Sequence, residues 1–207
     1  MTEVIKKAEV VISEKAWRQI KWLTFNMSTE IGAVGTAYTK TDEGGEPYFY
    51  VDKLFFPDQK VSGATVNIQA QGWGRILKQM TPEEKGQINF YWHRHPGGSH
   101  HSSTDQDDTF DTFMSKEAGR DWFVFLQTAG DNMDKFNYEL RVELRQPVRA
   151  TLMGTTHTKL MYLTSPKQQK FEEFLEKQNA KMEEFLMKEI NQEEKELEQI
   201  IKDVIIH

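Results

Sequence analysis

Tyr91-Trp92-His93-Arg94-His95-Pro96-Gly97-Gly98-Ser99-His100-His101-Ser102-Ser103-Thr104-Asp105 decides how the rest of the chain is read. Four of the six histidines fall in it, and Asp107 and Asp108 follow directly. Gln87 to His93 reads as a strand. If that strand runs on to His95, residues two apart project to one face, so His93 and His95 present two imidazoles to one point. Pro96 to Ser99 is a loop, and Thr104 to Ala118 reads as a helix with acids in its first turn, apolar Phe110, Phe113 and Met114, and Gly119 at its end. Asp105, in that first turn, then points a carboxylate back at the histidines. The chain has no cysteine, so any metal must be held by His and carboxylate. Two nitrogens and one oxygen leave the fourth position of a tetrahedral zinc ion open, which is the mark of a catalytic site.

Upstream, Glu9 to Ile12 is a short β-branched run and Ser13 an N-cap for a helix that ends near Asn26 to Thr29. Ala16, Trp17, Ile20, Leu23, Thr24 and Met27 give it one apolar face. Glu30 to Thr39 is a run of small and β-branched residues, the composition of a buried strand against which another backbone comes close. Thr41 to Gly45 is a turn. Tyr48 to Phe56 and Ala64 to Ala70 read as strands, Arg75 to Met80 as a short helix, and Thr81-Pro82-Glu83-Glu84 as a helix start. Trp122 to Gln127, Phe136 to Leu144 and Val148 to Met153 complete a set of strands. Trp73, Trp92, Phe123 and Phe125 are expected in the core, on or beside strands. Such a mixture predicts an α/β or α+β domain with a curved sheet.

From Pro166 the character changes, because Lys167 to Lys202 holds ten Glu and seven Lys in 36 residues. Phe171, Phe174, Leu175, Met182, Phe185, Leu186, Ile190, Leu197, Ile200, Ile201 and Val204 keep to one side of a long amphipathic helix. Glu173/Lys177, Glu184/Lys188 and Glu198/Lys202 are spaced for pairing across one turn. Its apolar stripe leaves two readings open: pairing with a second copy or a partner, or packing back along its own domain. The expected division is therefore a domain over 1–163 and a helix over 164–207.

With 26 Lys and Arg against 32 Asp and Glu, the net charge is −6, which argues against binding nucleic acid phosphates through a basic stripe. No apolar run reaches the ~18–20 residues of a membrane span, and Met1 to Lys7 lack the hydrophobic stretch of a signal peptide. A cytoplasmic protein with neither nucleic acid nor membrane as partner is expected. The absence of cysteine also excludes disulfides and thiol nucleophiles.

The pattern resembles the JAMM zinc metalloproteases and isopeptidases, also called JAB or MPN-plus, whose motif is an upstream Glu, then His-x-His-Pro, then Ser-x-x-Asp. Here His93-Arg94-His95-Pro96 is followed by Ser102-Ser103-Thr104-Asp105. Glu30-Ile31-Gly32-Ala33-Val34-Gly35 looks like the family's Glu-x-x-Gly strand start after a first helix, and Leu54-Phe55-Phe56-Pro57-Asp58-Gln59 looks like its strand ending in Pro-x-Gln. The resemblance runs from about Ile12 to Leu126. It implies a three-layer JAB/MPN-type, cytidine-deaminase-like α/β domain with a curved mixed sheet, to which the terminal helix is an addition. It also implies zinc on His93, His95 and Asp105, Glu30 as general base, and Ser102 as hydrogen-bond donor to the oxyanion. The reaction would be hydrolysis of an amide or isopeptide bond, often at the C-terminus of ubiquitin or a ubiquitin-like protein.

One spacing departs from the family. Six residues separate His95 from Ser102 where seven are common; counting seven selects Ser103, but three residues further stands Gln106, a poor zinc ligand. Asp107 is a weaker alternative to Asp105. Ordinary readings stand beside these. Glu30 fits an exposed acid at a helix-to-strand junction, His93 and His95 a packed strand pair, Asp105 a helix N-terminal charge, and His100 and His101 an exposed loop. Two rival functions remain: a catalytically silent scaffold of the same fold, and a nuclease metal site, which the acidic surface and the upstream Glu disfavour.

Overall fold

The computed structural model describes residues 8–61, 66–96, 120–132, 135–144, 150–156 and 180–205, with backbone alone for 150–156 and 180–190. Nine strands and four helices follow one another in these segments. They are β1 (Ala8–Ile12), α1 (Glu14–Asn26), β2 (Ile31–Thr41), β3 (Pro47–Phe55), β4 (Gln59–Val61), β5 (Val66–Ile68), α2 (Ala70–Gln79), α3 (Pro82–Gly86), β6 (Ile88–His95), β7 (Trp122–Ala129), β8 (Asn137–Leu144), β9 (Ala150–Thr156) and α4 (Ala180–Val204). The chain is a mixed α/β structure. Its main sheet runs β1-β3-β2-β6-β7-β8-β9 and curves until β1 pairs with β9, while β4 and β5 form a separate two-stranded ribbon.

Local chemistry accounts for the element starts. Ser13 caps α1 by accepting from Ala16 N at 3.3 Å, and its own N–H donates to Val51 O of β3 at 2.8 Å, so the cap also docks the helix on the sheet. Thr81 and Glu84 form a reciprocal capping box on α3, with Pro82 at its first turn. In β6 all eight residues are buried, as expected of a strand hydrogen-bonded on both sides, antiparallel to β2 and parallel to β7.

Alternation along these strands sorts the core into two clusters. Ile31 and Ala33 of β2, Phe90 and Trp92 of β6, Val124 and Leu126 of β7, and Leu140 and Val142 of β8 pack with Ala16, Trp17, Ile20 and Leu23 of α1 and with Leu197, Ile201 and Val204 of α4. Val34, Tyr91, Phe123 and Phe125 pack instead with Ile76 of α2 and with Met80, its C-cap. Helices thus cover both clusters, and each fully buried Ile or Leu contributes about 1.5–3 kcal/mol.

Several expectations need correcting. Ala64 to Ala70 is not one strand: β5 covers only Val66–Ile68 and α2 begins at Ala70, so Trp73 lies on a helix, partly buried beside the second cluster. Gly72 and Gly74 are poor helix formers and disguise this start. Gly72 is nonetheless needed, because a Cβ there would run into the backbone of Asp58. β6 extends to His95, two residues beyond the expected end. In the terminal helix Leu197, Ile201 and Val204 are buried in the chain's own core, and Arg18 Nη2 pairs with Glu193 Oε2 at 2.9 Å, so this stretch packs back on its domain. Ile200 is 40% exposed and lies off the buried side. The expected boundary at 163/164, the first part of that helix and the expected helix Thr104 to Ala118 lie outside the described residues. Among the described residues no helix is long and apolar enough to cross a membrane.

Candidate metal centre

The strand alternation that sends Phe90 and Trp92 into the first cluster sends Tyr91, His93 and His95 to the opposite face. There the two imidazoles converge. Their Nε2 atoms stand 2.7 Å apart, with ring centroids at 4.7 Å, and the Tyr91 ring lies 5.4 Å from His93. Both histidines are buried. Burial first, then the charge of His95, then that of Arg141, push the His93 imidazolium down to about 3. At neutral pH His93 is therefore uncharged, the form in which a ring nitrogen offers its lone pair to a metal.

Glu30 arrives from the neighbouring strand. Ile31 pairs with Arg94 and Gly32 with His93, so Glu30 directly precedes the first paired residue of β2. It is 7% exposed, not the exposed junction acid of the ordinary reading.

Two side chains hold this strand start in place. Gln59, fully buried, acts as a substitute strand: its Oε1 accepts from Gly32 N at 2.8 Å while its Nε2 donates to Gly32 O at 2.9 Å and Pro57 O at 3.1 Å. Arg94, between the histidines but on the other face, donates through Nε to Thr24 O at 2.7 Å and through Nη1 to Thr29 O at 3.3 Å. Thr24 O is one of the carbonyls that the end of α1 leaves without a helical partner. Thr29 is the residue before Glu30. Burial lowers the Arg94 pKa, and the charges of Asp131 and Glu30 oppose that. The third residue after Glu30 is Ala33, so Glu-x-x-Gly is not met; the close approach falls at Gly32, where a Cβ would stand 2.9 Å from Tyr91 Oη.

Across from His93 on β7 stands Gln127, register partner of His93 and 3% exposed. Its carboxamide nitrogen lies 2.8 Å from His93 Nε2 and 3.3 Å from His95 Nε2. The polar file continues onto β8, where Glu139 pairs in register with Gln127 and its Oε1 lies 3.3 Å from Arg141 Nε. Sequence reasoning missed Gln127, Arg94 and this file. An amide directly after the apolar run Phe123-Val124-Phe125-Leu126 was the available signal.

Ser102, Asp105, the alternatives Ser103, Gln106 and Asp107, and His100 and His101 lie outside the described residues. Among the described residues no group of three or more His, Cys, Asp or Glu side chains is placed to hold a metal. The part that is described nonetheless suits one. The His93 imidazole is uncharged at neutral pH, its Nε2 stands 2.7 Å from that of His95, and its Nδ1 is buried without a hydrogen-bond partner. Tetrahedral zinc with bonds of ~2.0–2.1 Å sets its ligand atoms roughly 3.3 Å apart, so the pair at 2.7 Å needs only a small opening to grip such an ion.

No family model matches the chain, and no curated protein matches it. Among solved structures it is similar to the solution structure of protein DSY2949 from Desulfitobacterium hafniense, at 11% identity over 72% of this chain and 93% of that one, with a TM-score of 0.42. A likeness so slight bears on no chemistry.

Proposed function

We propose that this chain is a zinc-dependent metallopeptidase of the JAMM type, with the three-layer JAB/MPN fold. On this reading it hydrolyses an isopeptide or amide bond at the C-terminus of ubiquitin or a ubiquitin-like protein in the cytoplasm. The observation that carries the reading is the convergence of His93 and His95 at 2.7 Å, with buried Glu30 at the start of the strand that pairs with theirs.

Zinc, when bound, supplies Lewis acidity toward the scissile carbonyl and lowers the pKa of water toward ~7. His93 and His95 would hold it through their ring nitrogens, and Asp105 would add the carboxylate. Glu30 takes the proton of the attacking water and passes it to the leaving amine. Ser102 donates a hydrogen bond to the carbonyl oxygen as that atom gains charge. Burial of Glu30, His93 and His95 strengthens each of these interactions by excluding water.

The test is zinc content together with cleavage of a diubiquitin or ubiquitin-like conjugate. Purified protein is expected to carry one zinc, lost in His93→Ala and Asp105→Ala and kept in Glu30→Gln, while Glu30→Gln loses roughly 10²–10⁴-fold in cleavage. Metal-free protein without cleavage would leave a silent scaffold as the better reading.

A further inference from the structure

We propose that Gln59 is a positioning residue for Glu30, and that through it the end of the terminal helix becomes part of the frame of the site. The inference rests on the metallopeptidase reading above for the role of Glu30, and adds to it the residues that fix where that carboxylate stands.

Glu30 lies between two tethers. Arg94 holds the carbonyl of Thr29 before it, and Gln59 holds both the N–H and the carbonyl of Gly32 after it. On the β3 side the pairing of β2 begins only at Val34, opposite Phe55. Ahead of that point the Gln59 carboxamide stands in for a strand, and without it a buried N–H and a buried carbonyl would lose their partners. Two hydrogen bonds to one residue hold it against both sliding and rotation.

A side chain places another group only as well as it is itself placed. Gln59 is fully buried, and its third hydrogen bond, from Nε2 to Pro57 O, closes back on its own chain. Its backbone pairs with Ile68 of β5 and forms a parallel bridge with Ile205, the residue after α4. Asp58, beside it, is held by α2 and by the same helix end. Asp58 O accepts from Gln69 N at 3.0 Å, and Arg75 Nη1 donates to Asp58 Oδ1 at 2.8 Å while reaching Asp203 O at 3.4 Å. Direct contacts thus run from the end of α4 through Asp58 and Gln59 to Gly32, two residues from Glu30.

The experiment sets hydrogen exchange of the Gly32 and Gly35 amides, read by NMR on the full chain with isotope-labelled glycine, beside zinc content and beside kcat and KM for a diubiquitin or ubiquitin-like conjugate. Gly35 is the internal reference, buried in the same strand and paired on both sides with Leu54 and Phe90. Gln59→Met keeps the length of the side chain and removes its three hydrogen bonds. Exchange at Gly32 is expected to quicken by about tenfold relative to Gly35. The kcat should fall by roughly 10–100-fold with KM and zinc content unchanged, since misplacing a reacting group by about 1 Å costs ~10²-fold. Arg75→Met, at a partly exposed ion pair, should move exchange and kcat in the same sense by about threefold. If Gln59→Met does not fold, Arg75→Met carries the test with the same readouts. An unchanged kcat in Gln59→Met, or exchange that quickens as much at Gly35 as at Gly32, overturns the positioning role and leaves the metallopeptidase reading standing. Wild-type values in Arg75→Met overturn the part assigned to α4. A wild-type chain that cleaves no conjugate removes the metallopeptidase reading and the positioning role together.

Discussion

The two faces of β6 differ in how they treat polar atoms. On the face toward α1, the Trp92 indole N–H donates to Thr128 Oγ1 at 2.9 Å. Thr128 in turn shares a hydrogen bond with Thr24 at 2.7 Å, and Thr24 Oγ1 also reaches Ile20 O at 2.7 Å. On the opposite face two imidazoles and an amide crowd one position, while His93 Nδ1 and Gln127 Oε1 find no partner. The same eight-residue strand, buried throughout, thus carries a satisfied network on one side and an unsatisfied one on the other. An arrangement that local pairing does not reward is where chemistry is to be sought, because buried polar groups persist at a cost only when something else selects them.

The contrast is broken most directly on the satisfied face. Trp92 is fully buried between β2 and β7, and Trp92→Ala is expected to cost about 3–5 kcal/mol. It removes a large packed ring and leaves the Thr128 hydroxyl with one partner fewer. Urea unfolding reads this as a lower midpoint with an unchanged slope. A loss below about 2 kcal/mol would mean that the face is less tightly packed than its burial states.

Arg94 links the two faces and comes next. Arg94→Met keeps much of the apolar stem and takes the guanidinium from Thr24 O and Thr29 O. We expect a cost of about 2–3 kcal/mol, since hydrogen bonds from a charged donor are worth ~1.5–3 kcal/mol each and part is regained by packing. Conjugate cleavage should fall with zinc content unchanged, because the segment leading to Glu30 is released while the histidines stay. Arg94→Lys should recover only part of it, as an ammonium lacks the fork that spans two carbonyls. Loss of zinc in Arg94→Met would assign Arg94 to the histidine geometry instead.

Much of this contrast was legible in the sequence, and the illegible part has a physical cause. The alternation through Phe90, Tyr91, Trp92 and His93 marks β6 and sets the two histidines on one face without any knowledge of neighbours. Ser13 and Thr81 announce their helices because capping is a contact across three residues. Gln59, Arg94 and Gln127 act across 27, 70 and 34 residues, and no periodicity records a hydrogen bond of that span. The start of α2 was hidden for a related reason: Gly72 answers a backbone approach by Asp58, a tertiary demand that overrides helix propensity. Glu30 became a candidate through the resemblance, since its place alone fits an exposed acid at a helix-to-strand junction. Its burial depends on β6 lying alongside, which only the fold provides.

A smaller effect sharpens the comparison on the histidine face. Gly32→Ala places a Cβ 2.9 Å from Tyr91 Oη and 3.2 Å from its ring edge, so the Tyr91 ring has to give way by a few tenths of an ångström. The expected cost is about 1 kcal/mol. Because Tyr91 lies against His93, zinc affinity should fall with it. Tyr91→Phe in the same chain removes the nearest atom and should restore most of both quantities; failure to do so would trace the cost to Trp92 O, which lies 3.3 Å from the new Cβ.

A small loss of stability is expected where function is concentrated. His93→Leu replaces a buried ring that has an unpartnered Nδ1 and a neighbouring imidazole at 2.7 Å with an apolar side chain of similar volume. The lost contacts with Tyr91 and hydrogen bonds with His95 and Gln127 are offset in part by the removal of an unsatisfied polar atom and by apolar packing, so metal-free unfolding should fall by about 1 kcal/mol. Zinc binding should vanish in the same variant. Stability and metal binding then separate at one residue, whereas at Trp92, the adjacent residue on the other face, stability is expected to fall first. A metal-free loss at His93 as large as that at Trp92 would show that both faces of β6 are structural and that the unpaired atoms mark no site.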